Sequence, residues 1–245
     1  MNRDNKQDAR VALITGAGRR IGAAIAKHLH QAGFRIFIHC HHSHEEAQAL
    51  ASHLNQQRPE SACVHAKDLG AADCSLSMIA AVMQWAGRLD VLVNNASLFA
   101  KDDNANWEKM FAINVHVPYQ LSHTARPHLE RSGGVIINIT DIHAERPLKE
   151  YSIYCQSKAA LAMQTKALAS DFAPRIRVNS IAPGAIAWPE HQNALPLKIQ
   201  QEIIEKSLLK QHGQALYVAQ AALALIENPF ITGQTLAVDG GRSVR

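Results

Sequence analysis

The chain has 245 residues, 47% of them hydrophobic, with 25 Lys and Arg against 21 Asp and Glu and a formal net charge of +4. That is enough apolar material for a packed core; the mild basic excess, with no long run of like charge, excludes a nucleic-acid footprint, and no apolar stretch is long enough to span a bilayer. The four cysteines, Cys40, Cys63, Cys74 and Cys155, form no C-x-x-C pair, and the polar start Met1–Arg10 has no apolar leader, so a reduced cytoplasmic protein is expected.

Residues 1–9 read as a flexible polar tail. A first strand is expected over Val11–Thr15, then a glycine turn, Gly16-Ala17-Gly18-Arg19-Arg20-Ile21-Gly22, opening an amphipathic helix over 20–32. Glycines let the backbone approach a pyrophosphate, and a helix start offers free N–H groups and a positive dipole end. Gly16, Arg19, Arg20 and Ile21 are therefore candidate cofactor contacts; a tight strand–helix turn without ligand is the plain alternative.

The second strand, Phe34–His39, ends in Cys40-His41-His42-Ser43, with no acid until Glu45. An NAD enzyme usually places Asp or Glu about 20 residues beyond the glycine turn, on the ribose 2′-hydroxyl. Here His41, His42 and Ser43 would instead donate to a 2′-phosphate, with Arg19 and Arg20 adding fixed charge beside it, which points to NADPH. A merely His-rich surface loop, or a metal site on His39, His41, His42 and His44, are the alternatives. A helix over 44–57 and a third strand, Ala62–Ala66, lead to Asp68 and Leu69, where the carboxylate suits an adenine amino group or a helix cap.

A helix over 73–86, a strand over Leu89–Asn94, a helix over 105–130 and a strand over Gly134–Thr140 follow. After them come a helix over 152–172, a strand over Ile176–Ser180, a helix over 215–227 and a seventh strand, Thr235–Val238. The mostly continuous apolar strands alternate with helices, which predicts a single-domain, Rossmann-type, doubly wound parallel sheet with helices on both faces. Residues 184–212, with Pro189, Pro196 and a helix-like Ile199–Leu209, form an insertion placed to cover a ligand at the carboxyl edge of the sheet.

Tyr154 and Lys158 lie four residues apart, so one helix face presents phenol and ammonium together. A neighbouring cation lowers a tyrosine pKa and suits it to general acid work. Asp141 stands thirteen residues before Tyr154.

These residues resemble the short-chain dehydrogenase/reductase family. Thr15-Gly16-x-x-x-Arg20-x-Gly22, Asn94-Asn95-Ala96, Asn114, Tyr154-x-x-x-Lys158, Pro183-Gly184 and Val238-Asp239-Gly240-Gly241 occur in the family's order across nearly the whole chain. The resemblance implies that Tyr154 is the proton donor. It implies that Lys158 holds the nicotinamide ribose and keeps the tyrosine acidic, and that Asn114 kinks its helix and anchors a relay water. Asn95, Ala96 and Ser97 would line the cofactor's path, and Pro183, Gly184 and Ile186 would flank the nicotinamide. Two departures, Arg20 for the middle glycine and Asp141 for the usual catalytic serine, resemble the pteridine reductase and dihydromonapterin reductase branch. So do His41-His42-Ser43, Asn95-Ala96-Ser97-x-Phe99 and the Gly-Gly-Arg242 ending. The resemblance also implies a homotetramer, with the alanine-rich Ala159–Ala169 face packed on a twin.

An ionised aspartate cannot donate to a carbonyl oxygen, so Asp141 argues against simple ketone reduction. A pterin ring offers C=N bonds and an amidine-like edge with which a carboxyl group can exchange a proton. The expectation is an NADPH-dependent reductase of dihydropteridines, such as dihydromonapterin or dihydrobiopterin, with dihydrofolate as a further candidate. Ser97, Phe99, Asp141, Tyr154 and Trp188 would contact the substrate, with no metal. Phe99 and Trp188 as packing residues, and Asp141 as a helix cap or ion-pair partner of Arg146, are the plain alternatives. A carbonyl or 3-oxoacyl reductase, and a non-catalytic NADP(H) sensor, are the competing functions.

Overall fold

The computed structural model describes residues 9–103, 106–188 and 194–244; Pro189, His191 and residues 1–8 of the expected tail lie outside them. Apolar, largely β-branched runs form seven strands, β1 (Val11–Ile14), β2 (Arg35–Cys40), β3 (Ala62–Ala66), β4 (Val91–Asn94), β5 (Val135–Ile139), β6 (Arg177–Pro183) and β7 (Thr235–Val238). They make one all-parallel sheet in the order β3-β2-β1-β4-β5-β6-β7. Successive side chains point to opposite faces of a strand, so each strand feeds two cores. Ala12, Ile14, Ile36, Ile38, Val91 and Val93 pack under α1 (Arg20–Gln31), α2 (His44–Gln57) and α8 (Ala215–Glu227). Val11, Leu13, Phe37, Leu92, Ile136 and Val178 pack under α3 (Cys74–Ala86), α5 (Val117–Ser132) and α6 (Ser152–Phe172). The fold is the expected doubly wound sheet with helices on both faces. Among the described residues no helix is long and apolar enough to cross a membrane.

Differences from the sequence reading are local. Phe34 precedes β2 as a buried core residue, and β6 continues to Pro183, where pairing with β7 carries it beyond Ser180. The expected helix over 105–130 is divided into α4 (Trp107–Phe111), a π-helical turn (Ala112–His116) and α5, since Asn114 turns its side chain to a neighbouring loop. In the insertion, α7 spans Leu197–Glu205, and the chain leaves the helix before Leu208 and Leu209.

A buried polar ladder fixes α6 on the sheet. Asn94 donates to Asn138 at 2.8 Å, and Asn138 donates to Thr165 of α6 at 2.9 Å. Each group is dry, so an unmet partner would cost about 1–3 kcal/mol, and α6 is locked in register on β4 and β5. Thr140, which the strand register turns to the other face, donates to the Ile181 carbonyl at 2.9 Å.

The sheet order reverses between β1 and β4, and a crevice for ligands opens there. Gly16 lies at φ +62, and a Cβ on Gly22 would come within 2.5 Å of the Gly16 carbonyl, so the turn hugs the strand end only with glycine at both places. His39, 1% exposed, accepts from the Gly16 N–H at 3.1 Å through Nδ1 and meets the Lys67 carbonyl at 2.9 Å through Nε2. Only the neutral ring protonated at Nε2 satisfies both contacts. Arg20, where the resemblance leads one to expect a glycine, keeps a left-handed φ of +56. A side chain there carries roughly 1–2 kcal/mol of strain.

Two outcomes follow. Burial lowers the His39 pKa from 6.5 to about 4. Its stabilising contribution is therefore complete above the unfolded value and is lost as pH falls toward the folded one. In urea unfolding, between about pH 7 and pH 5 the wild type should lose roughly 2 kcal/mol more than His39→Asn. Separately, Arg20→Gly should be about 1 kcal/mol more stable than Arg20→Ala, because both lose the side chain and only glycine relieves the backbone.

Candidate active site

The ends of β1 and β4 meet through one hydroxyl. Thr15 Oγ1 accepts from the backbone N–H groups of Asn95 (2.9 Å) and Ala96 (3.0 Å), while Asn95 Nδ2 donates to the carbonyls of Thr15 (2.8 Å) and Gly16 (3.1 Å). Asn95 thus holds the glycine turn in shape. The turn suits a dinucleotide: glycines stand where side chains would collide, and a helix N-terminus begins directly behind them. Ile21 packs on the core beneath the turn, and the side chain of Arg19 is exposed.

His41 and His42, both exposed, stack with ring centroids 3.7 Å apart at the end of β2. Ser43 lies against Gly18, where an added Cβ would approach its Oγ to 2.4 Å. Asp68 accepts from the Gly70 N–H at 2.9 Å, and that bond, aided by His41, Lys109 and His42, holds its carboxyl below the usual range. Leu69 is buried beneath it. His39 turns inward, away from this cluster. Arg20 does not join it either: its guanidinium crosses to the carbonyls of Ala187 (3.0 Å) and Trp188 (3.1 Å) and lies in the field of Tyr154.

The phenol of Tyr154 donates to Asp141 Oδ2 at 2.8 Å. The other oxygen, Oδ1, accepts from the His143 N–H at 2.8 Å, capping the short 3₁₀ turn Ile142–Ala144. Asp141 is therefore both a cap and a partner of the tyrosine, and Arg146 is not its ion-pair partner. Tyr154 is 5% exposed. Burial, and then the Asp141 carboxylate, push its pKa well above 10. The sequence reading expected Lys158 to lower it. Here the ammonium donates to the Ile139 carbonyl at 2.9 Å and lies 5.7 Å from the centre of the phenol ring, so desolvation and the facing carboxylate win. Burial likewise lowers the Lys158 pKa to about 8.

The π-helical turn at Asn114 is a local widening of the kind found at functional sites. Asn114 accepts from the Leu98 N–H (2.8 Å) and the Ser97 hydroxyl (3.2 Å). It donates to the Leu98 carbonyl and the Ser157 hydroxyl, both at 3.0 Å. Ser157 in turn donates to the Tyr154 carbonyl at 2.7 Å. This chain of bonds seats the loop after β4, so that Phe99 meets Tyr154 edge-on at 4.9 Å and stacks on Tyr151 at 4.6 Å.

Pro183 ends β6, Gly184 and Ile186 follow it, and a Cβ on Gly184 would come within 2.7 Å of Asp239 Cβ. The Trp188 ring stacks on His212 at 4.6 Å. Four residues not singled out from the sequence for these roles matter here. Asp102 accepts from the N–H groups of Ser152 (2.8 Å) and Ile153 (2.9 Å), capping the catalytic helix from a distant loop. Tyr151 forms the far side of Phe99, His39 shapes the turn, and Arg242 lies in the field of Asp141. Only tertiary contact reveals the first three; the Gly-Gly-Arg242 ending was a visible signal for the fourth.

The family described as "Enoyl-(Acyl carrier protein) reductase" matches residues 16–243. The chain is 34% identical to the "Granaticin polyketide synthase putative ketoacyl reductase 2" of Streptomyces violaceoruber, with 96% of each chain covered. It is 32% identical to "Pteridine reductase 1" of Leishmania tarentolae, covering 96% of this chain and 97% of that one. Among solved structures, "FolM Alternative dihydrofolate reductase 1" from Brucella canis, complexed with NADP, superposes with a TM-score of 0.90 at 34% identity. That match covers 98% of this chain and 96% of the other. The chain belongs to the short-chain dehydrogenase/reductase family of oxidoreductases.

Proposed function

We propose that this protein is an NADPH-dependent reductase that transfers hydride to a C=N bond of a dihydropteridine. The observation that carries the reading is the hydrogen bond between Tyr154 and Asp141. NADPH, when bound, supplies the hydride. Gly16, Arg19, Arg20, Ile21, Asn95, Ala96, Ser97, Pro183, Gly184 and Ile186 form the cofactor's path, with Asp68 and Leu69 at the adenine end and His41, His42 and Ser43 at the 2′-phosphate. As the ring carbon accepts hydride, the adjacent nitrogen takes the phenolic proton of Tyr154. Asp141 orients the phenol and exchanges protons with the amidine-like edge, and Lys158 and Asn114 serve the return of a proton from solvent. Phe99, Ser97 and Trp188 bound the flat ring.

A phenol held above its usual pKa enters each turnover protonated but is the weaker acid for it, so its transfer is driven by the basicity that the ring nitrogen gains as hydride reaches the neighbouring carbon. The chain would act as a single reductase domain, with residues 184–212 covering the substrate. We further propose a cytoplasmic homotetramer, supported by exposed apolar side chains on α5 and α6 (Tyr119, Met163) and along α8 and β7 (Leu216, Tyr217, Leu236). A second reading, reduction of a carbonyl or 3-oxoacyl group, is favoured by the Streptomyces relative. It leaves unexplained the carboxylate where a carbonyl needs a donor.

Two measurements test the reading. NADPH oxidation with dihydrobiopterin should fall on the order of 10²–10⁴-fold in Tyr154→Phe and markedly in Asp141→Asn. Turnover of an acetoacetyl thioester without turnover of any dihydropterin selects the second reading. His42→Asp should raise the KM for NADPH about tenfold, with a smaller change for NADH, because a carboxylate repels only the cofactor that carries a 2′-phosphate.

A further inference from the structure

Imidazole is the side chain whose charge solvent can change near neutral pH, and two of them stand where the 2′-phosphate is proposed to bind. His41 and His42 leave β2 as an exposed pair, with ring centroids 3.7 Å apart and planes 34° from parallel. Ser43, next in the chain, is the N-cap of α2, yet its hydroxyl caps no N–H of that helix. A hydroxyl and the opening N–H groups of a 14-residue helix therefore stand beside the two rings, all suited to an anion.

The groups around the pair come from several elements. His39, in the field of His41, is kept neutral by burial, which lowers its pKa to about 4. Lys67 is paired with Asp73 at 2.9 Å. Asp68 lies in the field of both rings and of Lys109 on α4, and its carboxyl is held below the usual range. Arg19 of the glycine turn is exposed, as are His44, Glu45 and Glu46 at the start of α2. Carboxylates, ammonium and guanidinium groups do not by nature titrate near neutrality, which leaves the exposed imidazoles to respond to pH. Two imidazolium rings this close repel, so a second proton binds several-fold more weakly than the first even in water. A phosphate monoester is close to dianionic at neutral pH; by accepting from both rings it removes that penalty.

We infer that His41 and His42 recognise the 2′-phosphate as a protonated pair, so that NADPH binding takes up a proton and the preference over NADH weakens as pH rises. The inference rests on the placement of the 2′-phosphate at these residues. Its sign follows from linkage: the gain is present below the range in which the occupied pair titrates and is lost above it. Calorimetry of NADP⁺ and NAD⁺ binding to the full-length protein, in two buffers of different ionisation enthalpy, reads the proton without any turnover. NADP⁺ should take up roughly half to one proton near pH 7. Its Kd should rise about tenfold between about pH 6.5 and pH 8.5, the difference between charge-assisted and neutral hydrogen bonds; NAD⁺ should show neither effect. His42→Arg, with a fixed charge, should flatten the NADP⁺ profile and reduce the uptake, whereas His44→Gln should alter neither. Equal uptake for both dinucleotides, a flat wild-type profile, unaltered uptake in His42→Arg or its loss in His44→Gln overturns the coupling and leaves the cofactor assignment in place. If NADP⁺ binds no tighter than NAD⁺ at any pH, the placement of the 2′-phosphate falls with it.

Discussion

The candidate site is organised by a single hydrogen bond, 2.8 Å long, between a phenol on a helix and a carboxylate on a loop. Neither group can find the other by local geometry, because thirteen residues separate them and they belong to different elements. The loop is set where it leaves β5, at Thr140, whose hydroxyl donates to the Ile181 carbonyl of β6. The helix is set by the buried ladder from Asn94 through Asn138 to Thr165. Hydrogen bonds weaken steeply with angle and distance, so the sheet has to define both anchor points closely. The two cores, one on each face of the sheet, make that definition rigid.

Around this bond, desolvation decides the charge states. Tyr154 and Lys158 are both almost wholly buried, so each is driven toward its neutral form: the phenol retains its proton and the ammonium is easier to lose. The attraction expected between them is weakened because Lys158 spends a hydrogen bond on the Ile139 carbonyl.

Much of this was legible in the sequence, and the reasons differ by level. Continuous apolar strands broken by amphipathic segments specify a parallel sheet, because only strands covered on both faces tolerate such runs. The i, i+4 spacing of Tyr154 and Lys158 specifies a shared helix face, and α6 provides it. The meeting of Asp141 with Tyr154 was visible only through family resemblance, since spacing along the chain carries no distance between a loop and a helix. The π-helical turn at Asn114 was hidden because a helix and a widened helix share nearly the same periodicity. Arg20 reached a different partner from the one its position suggested: its left-handed backbone sends a long side chain across the cleft to Ala187 and Trp188.

The start of α6 has no side-chain cap of its own; two of its N–H groups rest on Asp102, three residues after Phe99 in the loop that follows β4. Glu150 clasps the same loop twice, through the Asp102 N–H at 2.8 Å and through Lys101 at 3.2 Å. Fraying of the helix and lifting of the aromatic wall are thereby one cooperative event. A guest that presses on Phe99 thus bears, through Asp102, on the very N–H groups that open the helix of Tyr154.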